Sequence, residues 1–143
     1  MKKLMLSLCV LLPNIAFAQS TPEFIDARQQ AFSNIENKSE QIESMLDADE
    51  PNWNEVELMS GELVSHSQLL KVSFPKESQE GSKSKQSVWD KPEKFTRLLN
   101  EMDDGFIQLY QASTQQNKEL AETGLEQAKD TCNACHRTYR SRF

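Results

Sequence analysis

The sequence predicts an all-α domain, an antiparallel four-helix bundle with an up-down-up-down path. Two observations predict this class. Apolar residues recur at intervals of three and four along most of the chain, which is the spacing of one helix face, and no segment alternates apolar and polar residues as a half-buried strand does. Glycine is also scarce, at 4 of 143 residues. Long amphipathic helices joined mainly by short connections pack most simply as a bundle.

The first element of the chain is predicted to be a cleaved signal peptide, residues 1–18. Lys2 and Lys3 form a positive start, residues 4–15 form a mainly apolar region, and residues 16–18 read Ala-Phe-Ala, a small-x-small cleavage site. The apolar run is too short to span a bilayer comfortably, and no later segment is apolar enough to act as a membrane anchor. We therefore expect an exported, periplasmic domain over residues 19–143.

Composition narrows the class of partner. Without residues 1–18 the chain has 125 residues, which suits one compact domain. The formal net charge of the whole chain is −6, and the loss of Lys2 and Lys3 takes it to −8. Nucleic acid is not expected as a partner, because phosphate binding needs a basic face. An acidic surface fits weak, salt-sensitive contacts with cationic proteins.

Four helical segments are predicted after the signal peptide. They cover residues 23–47, 53–72, 92–116 and 118–142. Thr21 is the expected N-cap of the first segment, with Pro22 as its first helical residue. Pro92 likewise suits the first position of the third segment, with Asp90 nearby as its cap. Residues 73–87 are polar and break the periodic pattern, so they are predicted to form a long surface connection.

The last segment carries the motif with the most chemical content, Cys132-Asn133-Ala134-Cys135-His136. This C-x-x-C-H pattern is typical of c-type haem attachment. Two thiols three residues apart lie on one helical turn and can bond two vinyl-derived carbons at one porphyrin edge. His136 then supplies an axial nitrogen to the iron. We expect one covalent haem c, with His136 as an iron ligand.

Other interpretations of the same residues fit less well. A thioredoxin-like dithiol also uses C-x-x-C, but there the motif opens a helix after a strand. A structural zinc site needs four ligands. Once Cys9 leaves with the signal peptide, the chain retains only two cysteines and two histidines, His66 and His136. A disulfide between Cys132 and Cys135 would leave His136 without a role.

With this motif at the end of a helical bundle, the chain resembles the cytochrome c′ family, the class II c-type cytochromes. The resemblance covers essentially the whole domain and rests on residues 26–32, on Val88-Trp89, and on the Cys-x-x-Cys-His-x-x-Tyr-Arg pattern over residues 132–140. It implies that the haem packs between the helices and that the first helix covers the distal face of the iron. The resemblance does not extend to the connection 73–87, so it implies no roles for those residues.

The resemblance also implies roles for single residues. Phe32, four residues after Arg28, takes the position that faces the open iron site, and because it has no donor atom the iron is expected to be five-coordinate and high-spin. NO and CO are then expected to bind. O2 and anions are expected to bind poorly, because Phe32 offers them no hydrogen-bond donor. Arg28 is expected at a haem propionate, Arg140 beside the axial imidazole, and Trp89 and Phe95 in the pocket wall. For Trp89 and Phe95 core packing is the first interpretation and the pocket wall the second, while core packing is the alternative for Phe32 and solvation the alternative for the two arginines.

Three functions are compatible with these residues. The first is a module that binds NO and CO and exchanges electrons with an unknown periplasmic redox partner. The second is a six-coordinate electron carrier with Met45, Met59 or His66 as sixth ligand. The third, an enzyme such as a peroxidase, is disfavoured because Phe32 offers no acid–base group for O–O cleavage. We predict a non-enzymatic haem protein and, by family analogy, a homodimer formed through the first two helices.

Overall fold

The computed structural model describes residues 20–142, so the predicted signal peptide lies outside the described part of the chain. Within it the elements are α1 (Thr21–Leu46), α2 (Trp53–Val72), one 3-10 turn (Lys76–Ser78), α3 (Ser87–Asp90), α4 (Pro92–Thr114) and α5 (Lys118–Tyr139). No helix within residues 20–142 is long and apolar enough to cross a membrane.

The four long helices form the antiparallel up-down-up-down bundle that the sequence predicts. Each packs against the next long helix in the chain, and α1 meets α5 to close the ring, although that last seam is the sparsest. The apolar stripes turn inward, and burial of each large side chain contributes about 1.5–3 kcal/mol. The core includes Ile35, Ile42, Leu46, Val56, Leu63, Leu70, Leu99, Phe106, Leu109 and Leu125.

The start of α1 corrects one prediction. Thr21 is the first helical residue and Ser20 is the N-cap, so the prediction of Thr21 as cap was wrong. Ser20 is followed three residues later by Glu23, and its backbone N–H donates to Glu23 Oε2 at 2.6 Å. This arrangement, part of a capping box, gives the helix a start that Thr21 would not.

The start of α4 and the end of α5 each differ from the sequence prediction. α4 begins at Pro92 as predicted, but its N-cap is Lys91, while Asp90 Oδ1 accepts a hydrogen bond from Gln86 Nε2 at 2.9 Å. α5 ends at Tyr139, three residues before the predicted end. Arg140 is already extended, with φ −101° and ψ 131°, because the chain there pairs with another segment.

That other segment is the second half of the connection after α2. The backbone N–H of Lys85 donates to the carbonyl of Tyr139 at 2.8 Å, and the N–H of Ser141 donates to the carbonyl of Lys83 at 2.8 Å. Together they form an isolated antiparallel bridge. The connection is therefore tied to the end of α5.

The first half of the same connection is partly buried, contrary to the prediction of a surface loop. Ser73 and Ser78 are both buried. Ser73 Oγ donates to the carbonyl of Leu69 at 2.6 Å, and Ser78 Oγ donates to that of Pro75 at 2.7 Å. Because serine hydroxyls satisfy nearby backbone carbonyls, a polar sequence can pack inside the protein.

One close helix crossing brings α4 and α5 together at Gly105 and Gly124. A Cβ on Gly105 would lie 2.7 Å from the carbonyl oxygen of Gly124 and 2.8 Å from the backbone nitrogen of Ala128. A Cβ on Gly124 would lie 2.7 Å from the backbone nitrogen of Leu109. Only the absence of side chains at both positions allows the two backbones to approach so closely.

Candidate functional site

The motif of the last segment lies in the final two turns of α5. Cys132, Cys135 and His136 are three and four residues apart, so their side chains share one face of the helix. Both cysteines are half-buried and His136 is exposed. The helix thus presents two sulfur atoms and one imidazole together, as the spacing predicts.

The two thiols are free, and their surroundings favour the protonated form. Neither cysteine is in a disulfide. Burial raises the pKa of the Cys132 thiol, and burial together with the neighbouring Cys132 raises the pKa of Cys135 to about 11. A thioredoxin-like dithiol needs a cysteine with a lowered pKa, so the environment here opposes that chemistry.

A zinc centre is also unsupported in the part of the chain that the structure describes. No group of three or more His, Cys, Asp or Glu side chains there is arranged to hold a metal ion. A structural zinc site needs four such ligands. The thiols and imidazole of α5 are therefore better suited to a group that brings its own metal ligands.

The surroundings of His136 favour the neutral form of its imidazole. Partial burial lowers its pKa, and the positive charge of Arg140 lowers it further, while Glu36 of α1 acts in the opposite direction. Neutral imidazole is the form that ligates a metal. Arg140 is exposed and its charge acts on this imidazole, while its place in a haem pocket stays a prediction.

Across from the motif, α1 presents Phe32 and, one turn later, Glu36. The charge of Glu36 acts on both Cys132 and His136, so this face of α1 looks toward the motif. Phe32 shares that face, and 37% of its surface is exposed although it is a large apolar side chain. An apolar ring left this open, opposite two half-buried thiols, is what a flat apolar group between α1 and α5 would cover.

Before the motif, polar contacts join α5 to α1 and to the residues that follow α1. Lys129 Nζ and Glu43 Oε2 form an ion pair at 2.5 Å. Lys118 Nζ donates to the carbonyl of Ala48 at 3.4 Å. Both contacts therefore precede the motif along α5, and Lys129 is one helical turn before Cys132.

An aromatic wall lies at the motif end of the bundle. It consists of Phe32, Phe74, Phe95 and Tyr139, whose rings meet edge to face with centroid separations of 6.5, 4.8 and 5.1 Å in that order. Trp89 stands behind it and its Nε1–H donates to the carbonyl of Phe74 at 3.1 Å. Phe95 and Trp89 were expected in this region. Phe74 was missed, because it belongs to a connection without periodicity.

Arg28 is not the solvated cation that was the alternative to a propionate partner. It is 3% exposed, and burial lowers its pKa. Its Nη1 donates to the carbonyl of Ser73 at 3.1 Å and to Ser78 Oγ at 2.8 Å, and its Nη2 donates to the carbonyl of Ser78 at 2.6 Å. In this structure Arg28 anchors the connection after α2. Its pairing with a propionate stays a prediction.

Comparison with known proteins identifies the family. A family model described as Cytochrome C′ matches residues 23–140. The chain belongs to the cytochrome c′ family. It is therefore a member of a family of monohaem c-type cytochromes, which carry covalently bound haem c, as the sequence analysis predicted. No curated protein sequence matches significantly.

Solved structures of cytochromes c′ have the same fold. That from Thermochromatium tepidum is 16% identical, with a TM-score of 0.78 over 86% of this chain and 98% of its own. A cytochrome c′ with ligand-controlled dimer dissociation is 17% identical, with a TM-score of 0.79 over 87% and 99%. A nitric oxide complex of a cytochrome c prime variant from Alcaligenes xylosoxidans is 17% identical, with a TM-score of 0.76 over 85% and 97%. At this identity the likeness establishes the fold.

Proposed function

We propose that this cytochrome c′ carries one haem c bound through thioethers from Cys132 and Cys135, with His136 as the axial ligand of the iron. The observation that carries the proposal is the common face of α5, where two half-buried thiols and an imidazole lie together. A thioether forms when the S–H of a thiol adds across a vinyl double bond, so no atom is lost. The thiols supply sulfur, and His136 supplies nitrogen.

The residues present fit this group. The thiols lie beside the sparsest seam of the bundle, opposite the exposed ring of Phe32, and the aromatic wall offers an apolar surface at the same end. When bound, the haem supplies a redox-active iron with a coordination position for small ligands. Cys132, Cys135 and His136 on α5 would hold the haem, and α1 with Phe32 would cover its other face.

We further propose a five-coordinate, high-spin iron that binds NO and CO. Phe32 contains no donor atom, so it cannot be a sixth ligand, and its hydrocarbon ring offers no hydrogen bond to a bound molecule. NO and CO depend little on such a bond, whereas O2 depends on it strongly. A similar protein is known as a nitric oxide complex, which supports NO as a candidate ligand.

A six-coordinate electron carrier finds less support. His66 lies near Lys38 and Glu62, which pair across α1 and α2 at 2.5 Å. That seam is on the other side of α1 from Glu36. Met45 is thirteen residues along α1 from Phe32, about 20 Å at the rise of a helix. His66 and Met45 are therefore less suitable as the sixth ligand than the open face at Phe32, and Met59 as a ligand stays a prediction.

We also propose where the protein acts and with which partners. Residues 1–18 act as a signal peptide, and residues 19–143 work in the periplasm with a redox partner that is still unknown. The protein is not an enzyme, since Phe32 provides no acid–base group. A homodimer through α1 and α2 is supported by the exposed Leu58 and Val72 on α2 and by the dimer of a similar protein.

Two measurements on the protein exported from a host that attaches haem c test the proposal. Mass spectrometry should find one covalent porphyrin, which is lost in a Cys132→Ala, Cys135→Ala double variant. Optical spectra should have high-spin bands in both oxidation states and should change when CO is added to the ferrous protein. A colourless product would refute haem attachment. Sharp low-spin bands in the ferrous state would refute the five-coordinate site alone.

A further inference from the structure

Phe32 does not cover its side of the site alone, because its ring rests against Phe74. The two centroids are 6.5 Å apart, with planes at 64°. Phe74 immediately follows the C-cap of α2, in the connection that carries no sequence signal. The position of a residue on α1 thus depends on a residue from a different element.

Phe74 cannot move away from Phe32 freely. On its other side its ring meets Phe95 at 4.8 Å, and Phe95 meets Tyr139 at 5.1 Å. Phe95 and Tyr139 are 7% and 5% exposed, and interiors packed so closely leave no room for a ring to retreat. Phe74 therefore acts as a stop that restricts the movement of the Phe32 ring away from the site.

Arg28 fixes this stop from above the ring. Its guanidinium carbon lies 4.6 Å from the centroid of Phe74. Three hydrogen bonds join the same guanidinium to Ser73 and Ser78, the residues that flank the loop carrying Phe74. Arg28 is one helical turn before Phe32 on α1, so one short stretch of helix holds both the movable ring and the anchor of its stop.

We propose that Phe74, held by Arg28, is a positioning residue that limits the swing of Phe32 and so sets the rate at which small ligands reach the iron. The proposal rests on the proposed function, because it concerns entry to the same iron. Phe32 is the movable part, Phe74 the stop and Arg28 the anchor. Ligand escape and ligand entry pass the same ring, but iron–ligand bond breaking limits escape, so the stop acts mainly on entry.

The test is the rate of CO association with the ferrous haem protein after flash photolysis. Phe74→Leu should raise this rate about threefold and Phe32→Ala about tenfold, while CO dissociation changes less than about twofold. The double variant should match Phe32→Ala alone, because without the movable ring the stop has nothing to act on. Additive effects of the two changes, or an unchanged rate in Phe74→Leu, would overturn the proposal.

Two further variants control for general loosening of the fold. Trp53→Leu removes a half-buried aromatic ring at the opposite end of α2, about 30 Å away at the rise of a helix, and should leave CO association unchanged. Ser78→Ala removes one acceptor of Arg28 and keeps Phe74, so it serves if Phe74→Leu folds poorly. It should raise the rate in the native background and have no effect in the Phe32→Ala background. An equal effect in both backgrounds would overturn the role of the anchor.

The optical spectrum and CO binding of each protein distinguish failure of this positioning role from failure of the proposed five-coordinate site. If the native protein is low-spin and does not bind CO, the five-coordinate site itself fails. If it is high-spin and binds CO while the Phe74 and Ser78 variants bind at the native rate, only the positioning role fails.

Discussion

The two flanks of α5 differ in how they meet their neighbours. Toward α4 the helix carries Gly124 against Gly105, and the backbones approach so closely that an added Cβ would lie 2.7 Å from a main-chain atom. Toward α1 the contacts are few and include the exposed ion pair of Lys129 with Glu43. The close flank fixes the axis of α5, while the sparse flank leaves its thiols and imidazole accessible. A helix can hold a large group rigidly when only one side is closed.

A side chain added at the close crossing of α4 and α5 should cause the largest change in the free energy of unfolding. Gly124→Ala places a methyl group 2.7 Å from the Gly105 carbonyl oxygen, and backbone, unlike a side chain, cannot turn away. We expect a loss of about 3 kcal/mol in the free energy of unfolding, at the upper end of overpacking effects. Urea unfolding followed by circular dichroism measures it.

Gly61→Ala is the matched control for that experiment. It lies inside α2, and its Cβ would meet only the Tyr110 ring, at an ordinary 3.6 Å. We expect a gain of about 0.5–1 kcal/mol, since alanine is the better helix former. A similar loss in both variants would mean that the close crossing of α4 and α5 has no special importance.

On the open flank, a change should alter ligand entry more than folding. Phe32→Ala removes a ring that is 37% exposed, so we expect the free energy of unfolding to fall by only about 1 kcal/mol. CO association should rise about tenfold, which corresponds to about 1.4 kcal/mol of barrier. Stopped-flow mixing and urea unfolding of the same sample make the comparison. A large loss of stability at an unchanged rate would assign Phe32 to the core.

Removal of the ion pair between α5 and α1 should cause the smallest change in the free energy of unfolding. Lys129→Met removes a contact whose side chains are 40% and 50% exposed, and such pairs contribute about 0.5 kcal/mol. The difference from the native protein should shrink as salt is added, because exposed charges are screened. Unfolding at low and high sodium chloride tests this. A loss that persists at high salt would mean that packing of the lysine stem matters instead.

Arg97→Met is the control for that pair. Arg97 pairs with Glu101 at 2.6 Å within α4 alone, with similar exposure. If bridging two helices adds nothing, the two variants should behave alike. A clearly larger effect of Lys129→Met would assign the α1–α5 pair a part in holding the seam together.

Much of the fold follows from local spacing. The predicted range 53–72 coincides with α2, and the predicted starts of α4 and α5 are the observed ones, because apolar periodicity and prolines act within a few residues. The site was predictable for the same reason: Cys132, Cys135 and His136 share a face whenever their segment is helical. Errors concentrated at helix ends, where Ser20 and Thr21 are both residue types that cap helices and only Ser20 has a glutamate three residues later.

The sequence alone does not show which residues far apart in the chain come into contact. Arg28 and Ser78 are 50 positions apart, and neither the burial of that arginine nor the place of Phe74 leaves a periodic signal, because both depend on how a connection folds back over α1. The pairing of Gly105 with Gly124 likewise depends on the register of two helices. Local spacing determines the helices and the face that carries the motif, since those interactions span one turn. Packing between helices decides which flank is closed, which is open and what guards the opening, since those contacts exist only once the bundle has formed.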